Sequence, residues 1–224
     1  MAIDRWLLEQ HRLGLHPPTL RFYCWQPIAI SLGFHQKRYP EAWQNLSWCG
    51  QTVELVRRPS GGRAVLHQGD LTYAVVASGF TGSRMQAYQE ICAFLIEGWR
   101  SLGVELTYGE AGRGYIHSPN CFGTATGADL VTPNGIKLIG SAQLRLGTAI
   151  LQHGSMRLAP DLKLFRQVFG TEMSDCPLPT SDRVIEALTQ AAQICFGIRL
   201  QTNPLTQAEW QDISTYQTQY ELTL

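Results

Sequence analysis

Apolar residues recur at helical spacing in three long stretches of the chain and predict amphipathic helices there. Met85, Tyr88, Cys92, Leu95, Ile96 and Trp99 form one stripe. Val184, Ile185, Leu188, Ala191, Ala192 and Cys195 form a second, with Gly197 set as its stop. The third opens on Thr206-x-x-Glu209, a capping-box pattern, and carries Trp210 and Ile213. A shorter helix is expected near the start, where Ile3, Trp6 and Leu7 share a face. Short runs rich in β-branched and aromatic residues, bounded by Gly, Pro or Asn, predict strands at Leu20–Trp25, Val53–Val56, Ala64–Leu66, Leu71–Val76, Val104–Thr107, Ile136–Ile139 and Thr148–Gln152. Pro133-Asn134-Gly135, between Asp129–Thr132 and Ile136–Ile139, predicts a hairpin. No repeat, low-complexity tract or linker interrupts this order. It points to one α+β domain over residues 1–224, with a largely antiparallel mixed sheet flanked by helices.

Composition narrows the function classes. The 224 residues are 44% hydrophobic, enough for a sizeable core. Charge is balanced at 18 basic against 18 acidic residues, so nothing in it steers the chain toward nucleic acid, an anionic membrane or a strongly acidic partner. No apolar run approaches the roughly 18 residues of a membrane span, and no secretory leader is apparent, so the expected location is the cytoplasm. The six cysteines are irregularly spaced, without a Cys-x-x-Cys pair. His11, His16, His35 and His117 form no ligand spacing, so neither a disulfide scaffold nor a metal site is expected.

Three segments carry candidate chemistry. The run Arg57-Arg58-Pro59-Ser60-Gly61-Gly62-Arg63-Ala64-Val65-Leu66-His67 puts two arginines beside adjacent glycines. Such glycines let main-chain N–H groups approach an oxyanion or phosphate, and the arginines could neutralise a phosphate. Lys137 sits in an apolar run followed by Gly140, Ser141, Ala142 and Gln143, where small residues leave room for an extended apolar ligand. By itself this lysine is either a solvated side chain or a functional one. His153-Gly154 follows at what reads as a strand end. Cys92, Cys195 and Cys24 read as small buried hydrophobes, and Cys49 lies in a turn. Cys121 and Cys176 instead fall in loops of turn-formers, where reachable side chains concentrate, and composition does not choose between them.

At these residues the chain resembles the biotin/lipoate protein ligase family. The family's arginine pair, Ser/Thr, Gly-Gly and His block matches Arg57, Arg58, Ser60, Gly61, Gly62 and His67. Its lysine followed by Gly-Ser-Ala-Gln matches Lys137 and Gly140 to Gln143, and its closing His-Gly matches His153 and Gly154. Met1-Ala2-Ile3-Asp4 resembles the start of its first helix, so the likeness runs over residues 1 to about 170. Gly-Gly followed by Arg63, and Cys121-Phe122 shortly before the lysine hairpin, are similar to the LipM-type octanoyltransferases within it. So is a chain that ends before the extra C-terminal domain of many ligases. Members of the family usually have a strand before the first helix, and this sequence begins inside that helix.

The resemblance implies a catalytic core like that of class II synthetases and biotin ligases. It also implies ping-pong transfer of an octanoyl group through a Cys121 thioester, with Lys137 favouring the thiolate and Arg57, Arg58, Ser60, Gly61, Gly62, His67, Gly140, Ser141, Ala142, Gln143, His153 and Gly154 binding substrate. Octanoylated acyl carrier protein is then the donor. A lipoyl domain of a 2-oxoacid dehydrogenase subunit, or the glycine cleavage H protein, is the acceptor. No metal or cofactor is expected. Cys176 is the alternative nucleophile. An ATP-dependent lipoate ligase, an amidotransferase between lipoyl domains and a non-catalytic carrier-binding paralogue are the rival readings.

Overall fold

The computed structural model describes residues 1–109, 126–172, 178–217 and 220. A six-stranded sheet organises them: β1 (Thr19–Tyr23), β7 (Asp70–Ala77), β11 (Ala149–Arg157), β10 (Lys137–Leu146), β9 (Asp129–Val131) and β8 (Thr107–Tyr108), in that spatial order. Every neighbouring pair in it is antiparallel. A second sheet holds β5 (Glu54–Arg57), β2 (Ala29–Leu32) and β6 (Val65–His67), with β2 parallel to β5 and antiparallel to β6. The short β3 (Ser47–Trp48) and β4 (Gln51–Thr52) pair separately. The helices are α1 (Ala2–Arg12), α2 (Arg84–Ser101), α3 (Leu162–Phe169), α4 (Ser181–Phe196) and α5 (Gln207–Gln217).

Strand alternation decides what each face of the large sheet meets. In β7, Leu71, Tyr73 and Val75 turn toward Ile91, Leu95, Trp99 and Leu188 of α2 and α4. Ala74 and Val76 turn the other way, toward Trp6, Leu7 and Leu8 of α1 and Ile213 of α5. α2 and α4 approach closely because Gly98 has no side chain, and a Cβ there would stand 2.6 Å from Leu188 Cδ2. The small sheet alternates likewise. Ile30, Leu32 and Leu66 pack on Leu164, Phe165 and Val168 of α3, while Ser31 and His67 point back into a polar seam. The large sheet is therefore covered on both faces, and β7 carries apolar residues toward both of its helical neighbours.

The expected α+β class and helix positions hold. The stop at Gly197 is a left-handed C-cap with φ +60°, and the Thr206–Glu209 capping box forms with Glu209 N donating to Thr206 Oγ1. Several details differ. The runs expected at Ile136–Ile139 and Thr148–Gln152 fall, but for their first residues, in the longer β10 and β11, so Gly140, Ser141 and Ala142 lie inside a strand and His153 lies mid-strand. Of Val104–Thr107 only Thr107 is in a strand. Met85, Trp210 and Cys195 sit outside the core although their stripes are buried. Cys24, too, is exposed, just past β1. β2 has no polar–apolar alternation because all four of its residues are buried, which removes the period-2 signal.

Candidate active site

The loop after β5 is shaped by its own arginines. Arg58 is buried, and all three guanidinium nitrogens donate within the fold. Nη1 donates to Ser31 O (2.8 Å) and Ser31 Oγ, Nε to Gly61 O, and Nη2 to Gly61 O and Arg63 O (2.7 Å). Arg57 Nη1 donates to the carbonyls of Gly33 (3.0 Å), Phe34 and Gln36 (2.8 Å). Gly62 adopts φ +96°, and its carbonyl presses on Gly33 so closely that a Cβ on Gly33 would stand 2.0 Å from it. The donors of Arg58 thus hold the glycine turn in place.

Behind the loop, two hydrogen-bonded relays fill the seam between the sheets. Ser60 Oγ lies 2.5 Å from His153 Nε2, and His153 Nδ1 lies 3.2 Å from Asp4 Oδ2. Asp4 also pairs with Arg21 and accepts from Tyr23 Oη. Burial alone would raise the Asp4 carboxyl, but the hydrogen bond from His153 and the Arg21 charge hold it well below the usual carboxylate range. Burial lowers the His153 pKa against the pull of Asp4, so the ring is neutral. A carboxylate only accepts, so Nδ1 carries the proton and Nε2 accepts from the Ser60 hydroxyl. The second relay runs from Ser31 Oγ to His67 Nε2 (2.8 Å) and from His67 Nδ1 to Asp70 Oδ2 (2.8 Å), with Trp25 stacked on the imidazole at 4.0 Å. Sequence reasoning found the serine of one relay and both histidines. It missed Asp4, Ser31 and Asp70, which stand far away in the chain or in unmarked surroundings.

Lys137 is buried, not solvated. A register shift between Lys137 and Ile139 in the pairing with β9 re-aims its side chain, and Nζ lies 3.0 Å from Asp129 Oδ2. Asp129 also accepts from Thr126 N (2.7 Å) and Thr126 Oγ1, and its carbonyl accepts from Gly109 N. Gly109 and Thr126 are the described residues on either side of positions 110–125. Cys121 and Cys176, the two candidate nucleophiles, lie outside the described residues. Of the others, Cys92 is buried and its thiol is pushed up to about 12, chiefly by burial. Burial also raises Cys24 and Cys195, with nearby carboxylates adding to it. Cys49 sits in the β3–β4 turn, away from the cleft lining.

These parts surround a cleft of about 860 Å³ running along β10 from Lys137 to Arg145. Arg57, Arg58, Ser60, Gly61, Gly62, Lys137, Ser141, Ala142 and Gln143 line it. His67, Gly140, His153 and Gly154 line a smaller cavity of about 40 Å³, which Ser141 and Ala142 share with the cleft. Gly154 acts by packing: a Cβ there would meet Ser141 Oγ, Tyr73 Cε1 and Gly140 O within 2.7 Å. Arg5, Arg63, Arg84 and Arg145 add to Arg57, Arg58 and Lys137 in the cleft wall, where Asp129 is the one carboxylate among the described residues. The balanced total charge thus conceals a cleft whose described lining is strongly positive.

Residues 1–193 match the family described as the lipoyl protein ligase A/B catalytic domain. The chain belongs to this family. It shares 35% identity with an octanoyltransferase LipM of Kyrpidia tusciae over 93% of this chain and 86% of that protein. It shares 41% with an octanoyltransferase LipM of Carboxydothermus hydrogenoformans over 74% of this chain and 63% of that protein. In fold it is similar to protein Ta0514 of T. acidophilum (TM-score 0.79, 21% identity, 97% of this chain and 88% of that one). A lipoate-protein ligase A bound with ATP is comparable (TM-score 0.74, 21% identity, 96% and 86%). As a member of the lipoyl protein ligase A/B family the chain is an acyltransferase. Among the described residues no helix is long and apolar enough to cross a membrane.

Proposed function

We propose that this chain is an octanoyltransferase that moves an eight-carbon acyl group from the thioester of an acyl carrier protein to a lysine of a lipoyl domain, through an acyl-enzyme on Cys121. The observation that carries the reading is the buried Lys137–Asp129 pair. Both described flanks of positions 110–125 bond to Asp129, and Cys121 is only five residues from Thr126, at most about 18 Å of extended chain. The naming of the relatives as octanoyltransferases supports the same activity.

The Lys137 ammonium favours the Cys121 thiolate and meets the negative charge that develops on the carbonyl oxygen. The thiolate attacks the donor thioester and the carrier thiol departs. The acceptor amine then attacks the new thioester and releases the cysteine. Each methylene taken from water contributes about 0.8 kcal/mol, so the narrow space beside Gly140, Ser141 and Ala142 can select chain length.

The test is to mix the protein with octanoyl-carrier, without ATP, and to search its peptides by mass spectrometry for an acylated cysteine. The expected adduct is on Cys121 and disappears with Cys121→Ser. An adduct that survives that change and disappears with Cys176→Ser moves the nucleophile. Product that forms only with ATP replaces the transferase with a ligase.

A further inference from the structure

One guanidinium in the cleft differs from its neighbours. Arg145 is half-buried near the end of β10, and it lines the cleft. Its Nε and Nη2 are shut from water and have no hydrogen-bond partner among the described residues. These two nitrogens present their N–H groups on one edge of the guanidinium plane, the fork that fits two oxygens of a carboxylate or phosphate. A buried cationic fork left open is costly, and a bound oxyanion removes that cost. A second group points to the same ligand. Gln143 donates through Nε2 to Gln152, while its Oε1 is buried without a donor among the described residues. Both side chains face the same side of β10, because strand positions two apart share a face.

We propose that this stretch of β10 binds the phosphopantetheine-type arm of the acyl donor: Arg145 takes the phosphodiester, Gln143 Oε1 accepts from an arm amide, and the thioester reaches Lys137. The proposal rests on the transferase reading above. In a thioester donor the acyl carbonyl is neutral, and the fixed negative charge sits at the far end of the arm. Lys137 and Arg145 are eight positions apart, roughly 26 Å along a strand before their side chains reach inward. That separation suits a long arm carrying an anion at one end and the reacting carbonyl at the other. It does not suit a fatty acid whose carboxylate is itself the reacting group. Arg58 is engaged with main-chain carbonyls, so the open fork of Arg145 is the better phosphate ligand, with Arg63 and Arg84 adding positive charge to the same cleft.

The test is titration calorimetry of the full chain with phosphopantetheine, pantetheine, AMP and octanoate. Phosphopantetheine is expected to bind at least about tenfold tighter than pantetheine, and Arg145→Gln to bring that ratio within about twofold. Octanoyl-phosphopantetheine should show a correspondingly lower KM than octanoyl-pantetheine, with similar kcat. Equal binding of the two probes by the wild-type chain overturns the proposal and needs no variant. A ratio unmoved by Arg145→Gln also overturns it. If Arg145→Gln does not fold, Arg145→Lys, which keeps the charge and loses the fork, must lower the ratio. An equal or larger loss of AMP binding in the variant assigns the fork to nucleotide phosphate, and a loss of octanoate binding assigns it to a carboxylate. The two readings fail separately. Acyl-enzyme forming equally fast from both thioesters removes the arm site and leaves the transferase, whereas phosphate preference with no acyl-enzyme removes the transferase and leaves an anion site.

Discussion

The two walls of the cleft carry the same residue type in opposite conditions. On the glycine-loop wall, the Arg58 guanidinium is saturated by Ser31, Gly61 and Arg63, all from its own chain. On the β10 wall, the Nε and Nη2 edge of Arg145 has no partner among the described residues. An arginine whose donors are used internally builds architecture, and one whose fork has no internal partner among the described residues is the one proposed above to take a ligand. The distinction lies in the acceptors around the side chain, and residue identity does not reveal it.

The largest effect expected from this contrast is on stability. Arg58→Met would leave the carbonyls of Ser31, Gly61 and Arg63 without their donors and should lower unfolding free energy by about 4 kcal/mol. Arg145→Met should raise it rather than lower it, because a buried fork without a partner among the described residues is removed and no internal bond is lost. Urea denaturation of both variants checks this, and similar losses would erase the contrast. Next, Lys137→Met should slow acyl-enzyme formation about 100- to 1,000-fold, as removing a group that stabilises developing negative charge does. Rapid-quench measurement with octanoyl-carrier gives the rate, and an unchanged rate would leave the lysine with a structural role.

A smaller effect tests the seam behind the glycine loop. Asp4→Asn should destabilise by about 2 kcal/mol through the loss of charged bonds to Arg21 and His153. The sign of the pH dependence follows from the same cluster. His153 has a folded pKa below its ordinary 6.5, so the unfolded chain takes up the proton first as pH falls. Its contribution is complete above pH 6.5 and is lost below that value. The Asp4 carboxyl, held low, contributes fully above its ordinary 3.8 and loses that contribution only in stronger acid. Urea midpoints between pH 5 and 8 should therefore fall below pH 6.5 in the wild type, and His153→Gln should flatten that fall. Thr206→Ala, on the α5 cap and away from both walls, should cost about 1 kcal/mol and leave acyl transfer unchanged in a thermal melt and activity assay.

Much of this was readable in the chain. The helical stripes identified α2 and α4, and Gly197 and the Thr206–Glu209 box marked ends that the structure reproduces. The Arg-Arg-Pro-Ser-Gly-Gly and Lys137 segments do meet in one cleft. Arg145 had a legible signal too, since Ser141, Gln143 and Arg145 alternate with Ala142, Leu144 and Leu146 as one polar face of a strand. It passed unnoticed because the strand was expected to stop at Ile139. Asp4 and Asp129 had none, because an isolated aspartate acquires its role only when a distant histidine or lysine packs against it.

By itself the sequence determined the periodicities, the turn and cap residues, and hence the α+β class and the segments that carry chemistry. These are local properties, set by backbone preference and by which side chains must leave water. Tertiary structure alone decided which arginine is sealed and which is open, that Lys137 is buried against Asp129, and that His153 joins Asp4 to Ser60. Those outcomes depend on partners remote in the chain, and only packing brings a donor within reach of its acceptor.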